Sequence, residues 1–191
     1  MIRELYIIRH GETDFNLQGI VQGRGVNPSL NDTGRQQAEL FYDRYKDESF
    51  DAVYTSSLRR THESVAGFIS NGITWEQFPD LDEISWGIFE AKRASTGFKS
   101  LYRELIENWN AGKLDEKAPA GESPLEVQQR QLRFIRFLLT QPHKKILVCM
   151  HGRAMRIFLP TLLNQSLLKM DEFPHHNLTL YKLNYTDHRF A

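Results

Sequence analysis

Two histidines in this chain each follow a short apolar run and precede a glycine. Arg9 and His10 come directly after the run at 4–8, and His151 comes after the run at 144–150. Short runs rich in β-branched and aromatic residues predict buried strands. In open α/β sheets, ligands bind at the carboxyl ends of the strands. Both imidazoles are therefore candidates for chemistry at one edge of a sheet.

Further polar residues follow other predicted strands. A strand at 50–55 ends in Ser56 and Ser57, which are expected to cap the next helix, and Arg60 lies in that helix's first turn. Glu83 follows a third predicted strand. Guanidinium and imidazole groups beside a helix N-terminus suit a tetrahedral oxyanion, above all phosphate. Glu83 is a single carboxylate among these cations, which indicates a separate role in proton transfer.

Strands and helices alternate along the chain. A third strand is expected at 73–78 and a last one at 178–184, and helices are expected at 33–46, 58–71, 95–110, 124–140 and 154–163. Capping boxes at Thr33 and Ser123 begin the first and fourth of these helices. The alternation predicts one domain over 1–191, a three-layer α/β/α sandwich around a mainly parallel sheet.

Residues 92–122 are expected to form a helical insertion near the active site. Their apolar residues recur at helical spacing, at Phe98, Leu101, Tyr102, Leu105, Ile106 and Trp109. This stripe indicates an amphipathic helix that packs on another element. Its place in the chain leaves open that it also roofs the pocket.

Composition limits the partners of the chain. The 191 residues include 24 Lys and Arg against 24 Asp and Glu, so no global field favours nucleic acid or an acidic membrane surface. The single Cys149 excludes an intramolecular disulfide and fits a reducing cytoplasm. No apolar run approaches the ~20 residues that span a bilayer. A cytoplasmic protein without nucleic-acid or membrane partners is expected.

Taken together, the motifs resemble the histidine phosphatase superfamily, the phosphoglycerate-mutase-like clan. They occur in the family's order from residue 9 to about 180 and are Arg9-His10-Gly11-Glu12-Thr13, Asn16, Ser56-Ser57-Leu58 with Arg60, Leu81-Asp82-Glu83 with Gly87, Gly121-Glu122-Ser123 and His151-Gly152. Each motif is weak alone, whereas the ordered set is specific. The chain differs from many members at Asn27, where they have Asp, and at Ala91, where they have Gly.

The resemblance implies a role for each matched residue. His10 would be the nucleophile that becomes a phosphohistidine, and Glu83 would be the proton donor. The phosphoryl oxygens would be held by Arg9, Arg60, His151 and Asn16, with further phosphate or substrate contacts from Gln22, Gly23 and Ser57. Neither a metal nor another cofactor is expected.

The chemistry makes its own demands on these side chains. An unprotonated imidazole nitrogen must attack phosphorus, so the other ring nitrogen needs a fixed hydrogen-bond partner, and a backbone carbonyl near Gly11 is expected. Ile84 and Trp86 are expected to give Glu83 an apolar setting that favours its protonated form.

Simpler structural roles stay open for several residues. Asn16 would otherwise cap its own loop, and Ser57 would cap a helix. Asp82 and Glu90 are nearby carboxylates that compete with Glu83. His175 and His176 are adjacent on a predicted strand, without the spacing of metal ligands.

The expected function is hydrolysis of a small phosphorylated metabolite, such as α-ribazole 5'-phosphate or a sugar phosphate. One alternative is a cofactor-dependent phosphoglycerate mutase, although this chain has Ile84-Ser85-Trp86-Gly87 where such mutases have Arg-His-Tyr-Gly. Another is a non-catalytic phosphate-binding protein, which predicts loss of the nucleophile or the acid. A homodimer is left open.

Overall fold

The computed structural model describes residues 4–93 and 96–191, and within them it contains one six-stranded sheet. The strands are β1 (Glu4–Arg9), β2 (Ala52–Thr55), β3 (Thr74–Gln77), β4 (Lys145–Met150), β5 (Leu180–Thr186) and β6 (Arg189–Phe190). Their order across the sheet is β3-β2-β4-β1-β5-β6. β1 to β4 are parallel to one another, and β5 and β6 are antiparallel to their neighbours. The prediction of a mainly parallel sheet is confirmed.

Helices cover both faces of this sheet. They are α1 (Asp14–Leu17), α2 (Asp32–Tyr45), α3 (Arg59–Ser64), α4 (Ala66–Ser70), α5 (Thr96–Asn110), α6 (Pro124–Thr140) and α7 (Gly152–Leu162). Short 3-10 turns lie at Pro79–Leu81, Gly87–Phe89 and Leu167–Glu172.

Alternation along β1 separates the two layers of helices. Leu5 and Ile7 belong to a core with α6 and α7. Tyr6 and Ile8 belong to a second core, formed with α2 and α4. Because successive side chains of a strand point to opposite faces, a four-residue apolar run contributes to both cores. The predicted three-layer α/β/α sandwich is confirmed.

α5 lies in the segment expected to form an insertion. Leu105 and Trp109 pack with Trp86, Val127 and Ile157 in a third apolar cluster, which joins α5 to α6 and α7. Residues 94 and 95 and the side chain of Phe98 lie outside the described residues. The apolar stripe on α5 therefore has a packing role. The assignment of residues 92–122 as an insertion stays a prediction.

Several expected boundaries were wrong. The N-cap of α2 lies two residues earlier than expected, because the side chain of Asn31 rather than that of Thr33 accepts from the Gly34 N–H. The helix expected at 58–71 is interrupted at Val65. Its first part begins at Arg59, where the N-cap is Leu58 and Ser57 gives no side-chain cap. His175 precedes β5 instead of lying on a strand. The capping box at Ser123 is confirmed.

No helix in the described part of the chain combines the length and apolar character needed to traverse a lipid bilayer.

Candidate active site

The carboxyl ends of β1, β2 and β4 meet at one edge of the sheet. Arg9 pairs in register with Met150, and Thr55 pairs with Cys149. The residues that follow these strands are therefore neighbours, and the ring centroids of His10 and His151 lie 5.2 Å apart. Side chains that are 141 positions apart in the sequence meet because parallel strands end together.

The imidazole of His10 is fixed in one tautomer. Its Nδ1 lies 2.7 Å from the Gly11 carbonyl oxygen, which can only accept, so Nδ1 carries the proton and Nε2 carries the lone pair. This is the backbone carbonyl expected from the sequence. The ring is only 3% exposed. Burial, followed by the charges of Arg60 and Arg9, lowers the pKa of His10 well below its ordinary value and keeps the ring neutral.

Arg60 and His151 form one buried hydrogen-bonded unit. The Arg60 Nε–H donates to His151 Nδ1 at 3.2 Å, so His151 Nε2 is left to donate to the Ser56 hydroxyl at 2.7 Å. Burial and the Arg60 charge lower the pKa of His151 well below its ordinary value, which keeps this ring neutral too. Burial also lowers the pKa of Arg60 to about 10, so its guanidinium stays charged at neutral pH.

A cavity of about 340 Å³ opens above His10. Five of the predicted site residues line it, and they are Arg9, His10, Asn16, Gln22 and Glu83. Arg60 and His151 do not line the cavity, and both are fully buried. Three of the five Arg60 N–H donors are used by His151 and by the Val26 and Gly23 carbonyls. Direct contact of these two residues with a phosphoryl group stays a prediction.

Arg9 lies at the cavity wall beside a third histidine. One terminal nitrogen of Arg9 donates to the His175 carbonyl at 3.0 Å, while its Nε is buried without a hydrogen-bond partner among the described residues. Burial, Arg156 and Arg9 lower the pKa of His175 to about 4. The sequence did not indicate His175, since no spacing links it to the strand ends.

Glu83 lies at the N-terminus of α7. Its Oε1 accepts from the backbone N–H groups of Ile84 at 2.9 Å and Ala154 at 2.8 Å, and its Oε2 accepts from Arg153 N–H at 3.1 Å. The expected apolar setting was wrong: peptide dipoles and a helix N-terminus surround this carboxylate. Glu83 lines the cavity, and its Oε2 has one protein donor where Oε1 has two, so Oε2 is the atom better placed to exchange a proton.

Asn16 is both a cap and a wall of the cavity. Its Oδ1 accepts from the Thr13 N–H at 3.2 Å, and the Thr13 hydroxyl accepts from the Asn16 N–H in return. Because Oδ1 already accepts hydrogen bonds, the Nδ2 group of Asn16 is the part of the amide without a hydrogen-bond partner in the described part of the chain. Gln22 lines the cavity too, and its buried Oε1 lacks a hydrogen-bond partner there. The loop-capping role of Asn16 is confirmed, whereas phosphate contact is untested.

Gly23 and Ser57 do not line the cavity. A Cβ at Gly23 would lie 2.0 Å from Glu90 Oε1, so this glycine permits close packing behind the site. The Ser57 hydroxyl and N–H both donate to Asp82 Oδ1, at 2.7 and 2.9 Å. Both support the loops around the site, and their expected direct phosphate or substrate contact stays a prediction.

The competing carboxylates Asp82 and Glu90 have structural partners. Asp82 also pairs with Arg24 at 3.3 Å, and Glu90 accepts from the Trp86 N–H at 2.9 Å. Neither lines the cavity. Arg153 lines the cavity, whereas the nearby cations Arg24, Lys92 and Arg93 do not.

Arg130 on α6 holds the segment that carries Glu83. Its guanidinium donates to the carbonyls of Asp80, Asp82 and Glu83, and two of its nitrogens pair with the carboxylate of Glu122 at 3.1 Å each. Burial raises the pKa of Glu122, but the hydrogen bonds and charge of Arg130 outweigh it, and the net pKa is lowered. An arginine on a predicted amphipathic helix gives no sequence signal of this role.

No group of three or more His, Cys, Asp or Glu residues within 4–93 and 96–191 is arranged to hold a metal ion.

Comparison with known proteins gives consistent matches along the whole chain. A family model described as histidine phosphatase superfamily (branch 1) matches residues 5–191. A protein of Escherichia fergusonii named "Probable phosphoglycerate mutase GpmB" is 30% identical over 168 residues, which cover 84% of this chain and 74% of that protein.

Solved structures show the same architecture. The α-ribazole phosphatase of Shigella flexneri superposes with a TM-score of 0.84 and is 25% identical, covering 98% of this chain and 93% of that one. YhfR of Bacillus stearothermophilus gives a TM-score of 0.84 at 26% identity, covering 98% and 94%.

Replacing Arg130 by Met should misplace Glu83 and destabilise the fold. The change removes donors from three carbonyls and leaves Glu122 without its buried partner, at a cost of about 3 kcal/mol or more in the free energy of unfolding. Urea denaturation measures that cost, and kcat should fall further for alkyl than for aryl phosphates. Arg133→Met is the matched control, because Arg133 is exposed on the same helix. Equal stability losses in the two variants would refute the role given to Arg130.

The ring of His10 should stay neutral across the physiological range. Because its pKa is lowered, the carbon-bound proton signals of His10 in NMR should not titrate between about pH 5.5 and 8, whereas an unperturbed histidine titrates near 6.5. Assignment by comparison with His10→Asn identifies the signal. A midpoint near 6.5 would contradict the electrostatic account of this site.

Proposed function

Since this chain belongs to the histidine phosphatase superfamily, we propose that it is a metal-independent phosphomonoesterase that works through a phosphohistidine at His10. The superfamily and its phosphatase activity set the class of reaction. The covalent step is supported by the hydrogen bond that His10 Nδ1–H donates to the Gly11 carbonyl oxygen. This hydrogen bond leaves Nε2 with the lone pair, as a neutral nucleophile.

In the first half-reaction, the lone pair of His10 Nε2 forms a bond to phosphorus. The bond from phosphorus to the ester oxygen breaks, and protonated Glu83 gives its proton to that oxygen, so an alcohol leaves. Arg9, whose Nε has no hydrogen-bond partner in the described part of the chain, and the buried Arg60 supply positive charge for the phosphoryl oxygens. These groups are in place before the reaction, so little reorganisation is needed.

In the second half-reaction, water attacks the phosphohistidine. Ionised Glu83 takes a proton from this water as its oxygen bonds to phosphorus, and the P–N bond breaks. Inorganic phosphate, neutral His10 and protonated Glu83 result, which restores the starting state. The three backbone N–H groups that hold Glu83 serve both steps, because they fix its position whichever half-reaction is under way.

Guanidinium groups supply the charge that a metal ion supplies in other phosphatases. Arg9, Arg153 and Arg156 line the cavity, and Arg60 is buried beside His151. This arrangement supports metal-independent hydrolysis of a small phosphorylated metabolite, with α-ribazole 5'-phosphate and sugar phosphates as candidates. The proposal includes a cytoplasmic location and a homodimer, without nucleic-acid or membrane partners.

Phosphoglycerate mutase activity is the second candidate. The relative named for mutase activity is 30% identical to this chain, and this identity supports mutase activity as a candidate. A mutase must hold the alcohol while the phosphoryl group returns to it, whereas a hydrolase must admit water to the phosphohistidine. A non-catalytic phosphate-binding role has no support, since the nucleophile and the acid candidate are both present and line the same cavity.

Replacing His10 by Ala should lower kcat for p-nitrophenyl phosphate by about 10³-fold or more, because the covalent step loses its nucleophile. Incubation with a ³²P-labelled substrate and rapid quenching should label only the wild-type protein, with a bond that is labile in acid and stable in base. His62→Ala, away from the cavity, is the control. Retained turnover in His10→Ala would remove His10 as nucleophile.

Replacing Glu83 by Gln should slow alkyl phosphates far more than activated aryl phosphates. An alkoxide needs a proton to leave, so a loss of about 10²- to 10⁴-fold is expected for glycerol phosphate and a much smaller one for p-nitrophenyl phosphate. Glu90→Gln, which keeps an acceptor for the Trp86 N–H, should not discriminate between the two esters. If Glu83→Gln slows both equally, the acid is another group.

A further inference from the structure

The loop that carries the nucleophile is held by a hydrogen bond at each backbone polar group of His10 and Gly11. The His10 N–H donates to the Met150 carbonyl, and the His10 carbonyl accepts from the Asn177 side chain. The Gly11 N–H donates to the Ser64 hydroxyl at 2.8 Å, and the Gly11 carbonyl accepts from His10 Nδ1. The loop is therefore fixed by β4, by α3 and by the segment before β5.

The peptide group that joins Gly11 to Glu12 has a partner at each end. Its carbonyl oxygen accepts from His10 Nδ1 at 2.7 Å, and its N–H, which belongs to Glu12, donates to Gln37 Oε1 at 2.9 Å. The imidazole, the peptide group and the side-chain amide thus form a chain of two hydrogen bonds. Both bonds donate in the same direction, from His10 toward Gln37.

The packing of α2 brings Gln37 to this peptide group. A Cβ at Gly34 would lie 2.1 Å from the Glu12 carbonyl oxygen, so only glycine lets the first turn of α2 come this close to the loop. Gln37 is three residues after Gly34 and lies on the same face of the helix. Gln36, its neighbour in sequence, is exposed.

Hydrogen bonds in such a chain strengthen one another. Donation from the Glu12 N–H to Gln37 moves electron density in the peptide group toward the Gly11 carbonyl oxygen, which becomes a better acceptor. A better acceptor polarises the Nδ1–H bond of His10 more strongly. The lone pair on the other ring nitrogen, Nε2, then becomes more basic.

We propose that Gln37 is a positioning residue for the nucleophile, and that it fixes and polarises the Gly11 carbonyl through the peptide group between Gly11 and Glu12. In Ser-His-Asp enzymes a carboxylate bonds the imidazole directly, whereas here a neutral amide acts through one peptide group. This inference rests on the proposed phosphohistidine route and deepens it.

A neutral partner suits an imidazole that has two opposite tasks. Nε2 of His10 must attack phosphorus in the first half-reaction and must leave phosphorus in the second. A carboxylate in place of the Gln37 amide would make Nε2 more basic, because a nearby negative charge favours the protonated ring. It would thereby favour the attack and oppose the departure.

NMR measures the hydrogen bond of His10 Nδ1 without any substrate. In Gln37→Met, which removes the acceptor of the Glu12 N–H, the proton on His10 Nδ1 should resonate upfield of its wild-type position. Gln37→Glu keeps an acceptor and adds a negative charge, so the same signal should move downfield. Gln36→Met is the matched control, because it makes the same change one position away, and it should leave the signal in place.

Rapid-quench kinetics with p-nitrophenyl phosphate separate the two half-reactions. In Gln37→Met the rate constant for phosphorylation of His10 should fall by about 3- to 10-fold, the range that one neutral hydrogen bond supplies, while the inhibition constant of inorganic phosphate should stay unchanged. Gln37→Glu should keep the rate of phosphorylation and slow the loss of phosphate from His10, so the labelled fraction of the enzyme rises. Gln36→Met should match the wild type in both steps.

These measurements separate failure of the inference from failure of the proposed function. If wild-type His10 is phosphorylated but Gln37→Met shows no upfield shift, Gln37 does not polarise the carbonyl, and the phosphatase stands. A loss of rate without that shift overturns the inference too, because a purely structural role predicts it. Where Gln37→Met does not fold, the shift in Gln37→Glu decides, and an unmoved signal refutes the inference. If the wild type forms no phosphohistidine, the proposed function fails, and the role of Gln37 fails with it.

Discussion

Burial of two imidazole rings beside guanidinium groups is the constraint on which the site depends. A second positive charge among Arg9, Arg60 and their neighbours is unfavourable in a medium of low dielectric, so both rings are held neutral. A neutral ring has one lone pair, and the Gly11 carbonyl decides which nitrogen of His10 carries it. The nucleophilicity of His10 Nε2 therefore follows from the electrostatics of the site and one hydrogen bond. A bound phosphoryl anion offsets the positive charge of Arg9 and Arg60.

The fold serves this constraint through close backbone contacts. A Cβ at Gly11 would lie 2.8 Å from the Gly34 carbonyl oxygen, and a Cβ at Gly34 would lie 2.1 Å from that of Glu12. The N-terminus of α2 therefore packs directly on the loop that carries the nucleophile. On the other side, Arg130 holds the segment of Glu83, while α7 supplies the N–H groups that orient its carboxylate.

The sequence predicted the centre of the site better than its surroundings. Parallel strands end at one edge of a sheet, so the strand pattern predicted that Arg9-His10 and His151 share an edge, and the family resemblance supplied their roles. Helix starts were harder, because Asn31 and Thr33 are both good caps and only the packing of Gly34 against Glu12 selects between them. The helix-capping role expected of Ser57 was wrong, because its hydroxyl donates to Asp82, which lies on a loop distant in sequence.

Residues that act through long-range contacts left no local signal. His175 reaches the cavity from an irregular segment before β5, and Arg130 reaches three carbonyls from the middle of a helix. The setting of Glu83 was wrong for the same reason. Its neighbours Ile84 and Trp86 are apolar in sequence, whereas its carboxylate is surrounded by N–H groups from α7, a helix about 70 residues further along the chain.

The stereochemical course at phosphorus tests the covalent account most directly. Hydrolysis of a phosphorothioate ester that is chiral through oxygen isotopes, in water of the third isotope, gives thiophosphate whose configuration NMR can assign. Transfer to His10 and then to water inverts phosphorus twice, so the account predicts overall retention. Overall inversion would show direct attack by water and would contradict the covalent role of His10.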